Sequence, residues 1–154
     1  MLKRILLLTG AALLLSPLST AASSASRGQA TLLQAINAVR AAYGLKPVRI
    51  GTRLEVAAQA HTRAMLATQV FEHGAFVARL RDFHVTAPAI GENLAWGTGS
   101  DATADAIVSA WLASAPHRRN LLDPSFTLIG IGDLAGVFQG AVDARVVTVD
   151  FAGR

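Results

Sequence analysis

The chain has 154 residues, 52% of them apolar and 16% charged, which suits one domain with a real core and excludes a disordered segment. It contains no cysteine, which excludes disulfides, lipoprotein-type lipid attachment, iron–sulfur clusters, cysteine-ligated zinc and thiol catalysis. The formal charge of +4 includes Lys3 and Arg4, leaving twelve basic residues against ten acidic without them, and no basic stripe points to nucleic acid.

The chain opens with a short basic start, Met1 to Arg4. An apolar run follows from Ile5 to Leu18, then a stretch of Ser, Thr and Ala from Ser19 to Ser26. That is the three-part pattern of an export signal. The apolar run of about 14 residues falls short of the roughly 20 that span a bilayer, so a membrane anchor is the weaker reading. Residues 1–25 are therefore expected to be a removed signal peptide, 26–31 a short tail, and 32–152 the folded domain. Such a signal implies a secreted or periplasmic protein, with no transmembrane segment in the mature chain.

Leu32, Leu33, Ile36, Val39 and Tyr43 recur at helical spacing, predicting a helix from about Thr31, as N-cap, to Tyr43. Gly44 stops it, and Lys46 to Gly51 reads as a loop. A second helix is predicted from Arg53 to Thr68, with Leu54, Ala58, His61 and Met65 on one stripe. His61 thus reads as a core histidine bonded to backbone. Phe76 to Phe83 reads as a short helix, with His84 exposed beside it. Gly91 to Trp96 reads as a turn entering a short strand, with Leu94 and Trp96 facing the same way. The next helix is expected from Ser100 or Asp101 to about Ala115, ended by Pro116, with His117 just beyond it. Strands follow at Thr127 to Asp133, where glycines permit close approach, and at Arg145 to Phe151, separated by a turn region. Helices first, then a strand, a helix and a hairpin make the fold class α+β.

Three polar residues on three separate elements carry the candidate chemistry. Glu92 is a lone acid among apolar neighbours, costly to bury unless it is paired, hydrogen-bonded or bound to a cation. His73 follows a helix end, where capping of carbonyls is its plainer role. His73, His117 and Glu92 together form a usual ligand set for zinc or a similar divalent ion, which could serve as a Lewis acid or as a passive ion site. A polar binding spot without metal is equally open. No His-Glu-x-x-His helix is present. Ser114 and His117 suggest a serine–histidine pair only weakly, because no Gly-x-Ser-x-Gly elbow exists.

Several short motifs occur in a telling order: Asn37-x-x-Arg40 with Gly44-Leu45, the Ala57/Ala60-His61…Met65 helix, Phe71-x-His73, Gly91-Glu92-Asn93, Trp111-x-x-Ser114-x-x-His117-x-x-Asn120-Leu121, and Gly130-x-Gly132. In these the chain resembles the CAP superfamily of cysteine-rich secretory proteins, antigen five and plant pathogenesis-related proteins, and within it the compact, cysteine-free bacterial branch. The resemblance covers about residues 32–151. It implies an α–β–α sandwich around a small, mostly antiparallel sheet, and a cleft of two histidines and two acids able to hold a divalent cation, zinc foremost. Carried over, His73 and His117 match the histidines and Glu92 the first acid. Where the family has its second acid, this chain has Ser114; Glu72 is a substitute by proximity, with an outward side chain expected.

The family mostly acts by binding lipids, small molecules, membranes or protein partners. The chain is therefore expected to be an extracytoplasmic binding module rather than an enzyme. The alternatives are a metal-dependent hydrolase, with His73 and His117 on the ion and Glu92 as general base, and a purely structural polar cluster.

Overall fold

The computed structural model of the chain describes residues 18–154, with side chains from Ser26 onward. The basic start and most of the apolar run of the expected export signal lie outside the described residues. Ten elements follow in order: α1 (Leu18–Ala42), β1 (Arg49–Ile50), α2 (Thr52–Thr68), α3 (Phe76–Asp82), β2 (Ala89–Gly97), a 3-10 turn (Gly99–Ala102), α4 (Ala104–Ala113), α5 (Ala115–Leu122), β3 (Phe126–Phe138) and β4 (Ala141–Gly153).

α1 runs back to Leu18 rather than starting at Thr31. The stretch ahead of Thr31 is rich in alanine and free of proline, so nothing halts the helix there. Thr31 is no cap; its hydroxyl donates to the Gly28 carbonyl at 2.8 Å inside the helix. Gly44 ends the helix as expected, at φ +70°, with its N–H on the Ala41 carbonyl. The predicted loop after it contains β1, which pairs in parallel with β3 through Arg49↔Leu128 and Ile50↔Ile129.

The predicted single helix over 100–115 is three pieces. Thr103 caps α4, accepting from the Ala106 N–H, and Ser114 leaves the helical region at ψ 117°. Pro116 then does not end a helix but stands in the first turn of α5, where its missing N–H costs nothing. His117 is therefore a helical residue, not one on an irregular segment after a helix. The strands outrun their predicted bounds as well. β3 and β4 form a long hairpin closed by Gln139 and Gly140, at φ 48° and 82°. Two successive positive φ values match the twist of the flanking strands, so the hairpin needs no longer loop.

The sheet order is β1-β3-β4-β2, antiparallel except at β1. Side chains of β4 alternate between two layers. Val147, Val149 and Phe151 pack with Ile129 and Ile131 against Leu32 and Ile36 of α1, Ile107, Val108 and Trp111 of α4, and Leu121 of α5. On the opposite face Val146 packs with Met65 of α2, and Ala152 with Leu54 and Ala57 of α2 and Leu80 of α3. The result is the three-layer α–β–α sandwich. Gly130 and Gly132 explain how closely α2 lies on the sheet: a Cβ at either would fall on the backbone carbonyls of Leu54 or Ala58.

Two polar residues of α1 are structural clamps. The Asn37 side chain bonds Val48 on both its N–H and C=O, at 2.9 and 3.0 Å, imitating a strand partner. Arg40 is wholly buried and gives its guanidinium to four carbonyls, those of Lys46, Leu121, Asp123 and Phe126. It joins the end of α1 to the turn between α5 and β3.

Candidate functional site

The site is built on the α2 face of the sheet edge. β2 and β4 pair with Glu92 directly opposite Asp150, and both side chains are buried. Two carboxyl groups set side by side in an apolar layer repel and lose hydration, so both are held above their ordinary range. Burial raises Glu92 to about 6, opposed by the Arg79 guanidinium. Burial raises Asp150 to about 8, opposed by Arg79 and reinforced by the Glu92 charge. Near neutral pH the pair therefore keeps one proton, which these directions place on Asp150, whose Oδ2 is buried without a hydrogen-bond partner among the described residues. Arg79 of α3 neutralises the remaining charge: its Nη2 donates to Glu92 Oε2 and, at 3.3 Å, to Asp150 Oδ1. The Phe76 ring, 5.4 Å away, covers the guanidinium.

The three expected residues are placed differently from one another. His73 meets Glu92 directly, Nδ1 to Oε1 at 2.7 Å, with its side chain 56% exposed. His117 lies in the first turn of α5, half-buried; burial lowers its pKa, and the neighbouring His73 charge lowers it further. No hydrogen bond or ion pair joins its imidazole to Glu92 among the described residues. What ties His117 to the site is backbone: the Asn93 amide donates to the His117 carbonyl at 3.1 Å. Asn120 completes the clasp, donating to the Glu92 carbonyl at 3.0 Å and to Asn93 Oδ1 at 2.9 Å. Gly91 makes room for Asn120, since a Cβ there would lie 2.9 Å from its Oδ1 and from Phe126. The Gly-Glu-Asn triplet thus divides its labour: Gly91 and Asn93 hold α5 on one face, while Glu92 enters the charged cluster on the other.

His61 behaves as a core histidine. Its Nε2 lies 2.9 Å from the Glu72 carbonyl, and burial lowers its pKa to about 4. It also stands 3.9 Å from Glu92 Oε2, behind the cluster, in a groove of about 320 Å3 between α2 and α3. Glu72 has an exposed residue position, as expected, and His84 is exposed. Ser114 is the pivot between α4 and α5 and makes no capping bond with its side chain.

The residues that sequence reasoning missed are Arg79 and Asp150. A signal for Asp150 existed: it interrupts the run Val147-Thr148-Val149-Asp150-Phe151-Ala152 with a lone acid, as Glu92 does in its own strand. Arg79 gave none, because an arginine on a short amphipathic helix reads as a solvated face.

Does this set fit a divalent ion? Glu92 has both oxygens engaged, one by His73 and one by a cationic guanidinium, and Asp150 lies beneath it rather than at the surface. Among the described residues no three His, Asp or Glu side chains are placed to share an ion. Glu92 would have to release His73 or Arg79 before it could join the two histidines on an ion. The arrangement leaves two imidazoles, with Glu92 orienting His73 from behind rather than ligating.

A small mixed sheet between helical layers, with a Glu-Asn strand clasped by a His-x-x-Asn helix, defines an SCP-type domain. The chain belongs to the CAP, cysteine-rich secretory protein, family, whose model matches residues 33–142. It is 34% identical over 119 residues to an uncharacterized Bacillus subtilis protein, YkwD, an alignment covering 74% of this chain and 45% of that one. An uncharacterized membrane protein of the same organism, YlbC, is 28% identical over 128 residues, covering 80% of this chain and 34% of the relative. The chain thus spans less than half the length of these two relatives. Among solved structures, an extracellular SCP-domain protein from Bacillus anthracis superposes with a TM-score of 0.72 at 23% identity, over 91% of this chain and 44% of that one. An outer surface protein from Borrelia burgdorferi gives 0.71 at 21% identity, over 83% and 93%. Likeness at that identity shows the fold. No described helix is long and apolar enough to cross a membrane.

Proposed function

We propose that this chain acts outside the cytoplasm as a binding module, and that the face carrying His73 and His117 is its recognition surface. The observation that carries this reading is the placement of His73. Its Nδ1 is fixed on a buried carboxylate while more than half of its side chain meets solvent. A buried charge network is costly to assemble, and here it sets the tautomer and orientation of one exposed imidazole. Binding is favoured over hydrolysis because Glu92, the general base that hydrolysis would need, has both oxygens engaged. The extracellular and outer-surface descriptions of two structural neighbours support the location, as does the export-signal pattern of residues 1–25.

The test follows the imidazole resonances of His73 and His117 while zinc is titrated, beside a zinc-supplied panel of peptide and ester substrates. The expected result is a response of both rings, lost from His117 when His73→Ala is introduced, with no turnover. Hydrolysis that depends on zinc and disappears in His117→Ala would replace this reading with the hydrolase. Rings that stay silent to zinc, together with no turnover, would leave the cluster purely structural and sink the recognition surface. N-terminal sequencing of the exported protein, expected to begin near Ser26, tests the location.

A further inference from the structure

A second concavity, of about 600 Å3, shares no lining residue with the Glu92 cluster. It lies between β1, the start of α2, the segment 84–88 and the neighbouring ends of β3 and β4. Its charged side chains are of one sign: Arg49, Arg53 and Arg154 line it beside His84, and no aspartate or glutamate does. In a chain whose acids and bases are nearly balanced outside its first four residues, that segregation is local. Its floor is apolar, formed by Leu54, Ala152 and a Leu128 that is 38% exposed. Thr52, Thr86 and Thr127 add hydroxyl donors along the walls.

The walls are held by strand pairing and hydrogen bonds. Arg49 is paired to Leu128 in the β1–β3 ladder. The Arg53 Nη1 donates to the His84 carbonyl at 3.1 Å, fixing the segment that His84 heads. The Arg154 N–H reaches the Ser125 carbonyl at 3.2 Å. Arginine is the side chain whose planar fork suits phosphate and carboxylate oxygens, and three of them exceed what one carboxylate would balance. The volume falls in the range of small-molecule sites.

We infer that this groove binds a small organic phosphate, the dianionic head on Arg49, Arg53 and Arg154 and an apolar body on Leu54 and Leu128. The site is independent of the His73 surface and does not rest on the function proposed for it. Calorimetric titrations of the full chain with phenyl phosphate, inorganic phosphate and benzoate test it, together with the Leu54 and Leu128 methyl resonances. Phenyl phosphate is expected to saturate the site and to bind more tightly than either other anion, shifting both methyls. The doubly substituted Arg49→Gln, Arg53→Gln chain, altered only at exposed positions, is expected to lose at least roughly tenfold in affinity, as loss of charge-assisted hydrogen bonds implies. Inorganic phosphate binding as tightly as phenyl phosphate would remove the apolar subsite and overturn the inference. So would benzoate binding as tightly, affinity unchanged in the double variant, or no saturable binding at all.

Discussion

At the scale of single residues, the polar side chains of this chain divide into clamps and a cluster, and the difference decides what each substitution does. Arg40 is a clamp. It is buried without a carboxylate contact, its charge spread over four carbonyls, and burial lowers its pKa against a weaker pull from Asp123. Arg40→Ala strands those carbonyls in the core, where each unsatisfied group costs about 1–3 kcal/mol. The expected loss is at least about 3 kcal/mol in urea unfolding, and Arg40→Lys recovers only part of it, because an ammonium lacks the five-donor fork. An Arg40→Ala chain within about 1 kcal/mol of the parent would show that the carbonyls find other partners. Glu92 is a cluster residue, and Glu92→Gln should release His73, because it exchanges the carboxylate that holds Nδ1 for a neutral amide that keeps the same volume. The His73 ring resonances should move toward those of a mobile side chain in that variant, and unmoved resonances would mean that the 2.7 Å contact does not fix the ring.

At the scale of elements, α5 is positioned by β2 through Asn93 and Asn120 rather than by apolar contact alone. Asn120→Ala removes two of these three bonds and leaves the Glu92 carbonyl unpaired. It should cost about 1–3 kcal/mol, with the His117 resonances displaced while those of His61, on α2, stay in place. Equal displacement of both would indicate a general loosening rather than release of α5. This element also shows where sequence reading stopped. The proline at 116 reads as a stop, because position i−1 of a proline avoids the helical region. The residue before the proline, Ala115, is nevertheless helical; the break falls one position earlier, at Ser114, and Pro116 is favourable in the first turn of α5. A rule about one residue could not say whether a helix ends or two helices meet. The α2 stripe and the Gly130-x-Gly132 spacing were legible because each is a local pattern with one packing solution. The α2 helix appears where its period places it, and the glycines lie under it. The Glu92–Asp150–Arg79 cluster was not legible. Its members are 13 and 71 residues from Arg79, and only the β2–β4 register brings the two acids opposite each other.

At the scale of the whole molecule, the buried cluster should set the pH dependence of stability. Asp150 has a folded pKa of about 8 against an ordinary 3.8, so between those values the folded state holds a proton that the unfolded chain releases. Its contribution is complete below about 4 and is lost as pH rises through 8. Glu92, raised to about 6, acts in the same direction over a narrower span. His61 acts oppositely: lowered to about 4 from 6.5, it makes the folded state bind fewer protons in that window, so stability falls as pH drops through it. His117, also lowered, adds to the His61 effect. Below pH 6.5 these trends oppose one another, and the profile should be shallow. Above 6.5 Asp150 alone of the four still titrates differently in the two states. From pH 6.5 to 8 stability should therefore fall by on the order of 2 kcal/mol, at about 1.4 kcal/mol per pH unit for one proton. Asp150→Asn keeps the size of the side chain and an acceptor for Arg79 Nη2 while removing the titration. Its unfolding free energy should be nearly flat over the same interval, so that the variant gains on the parent as the buffer becomes more alkaline. Parallel profiles for the two chains would mean that Asp150 is already ionised in the folded state near neutrality, with Arg79 holding two carboxylates, and the shared-proton description of the site would then be wrong.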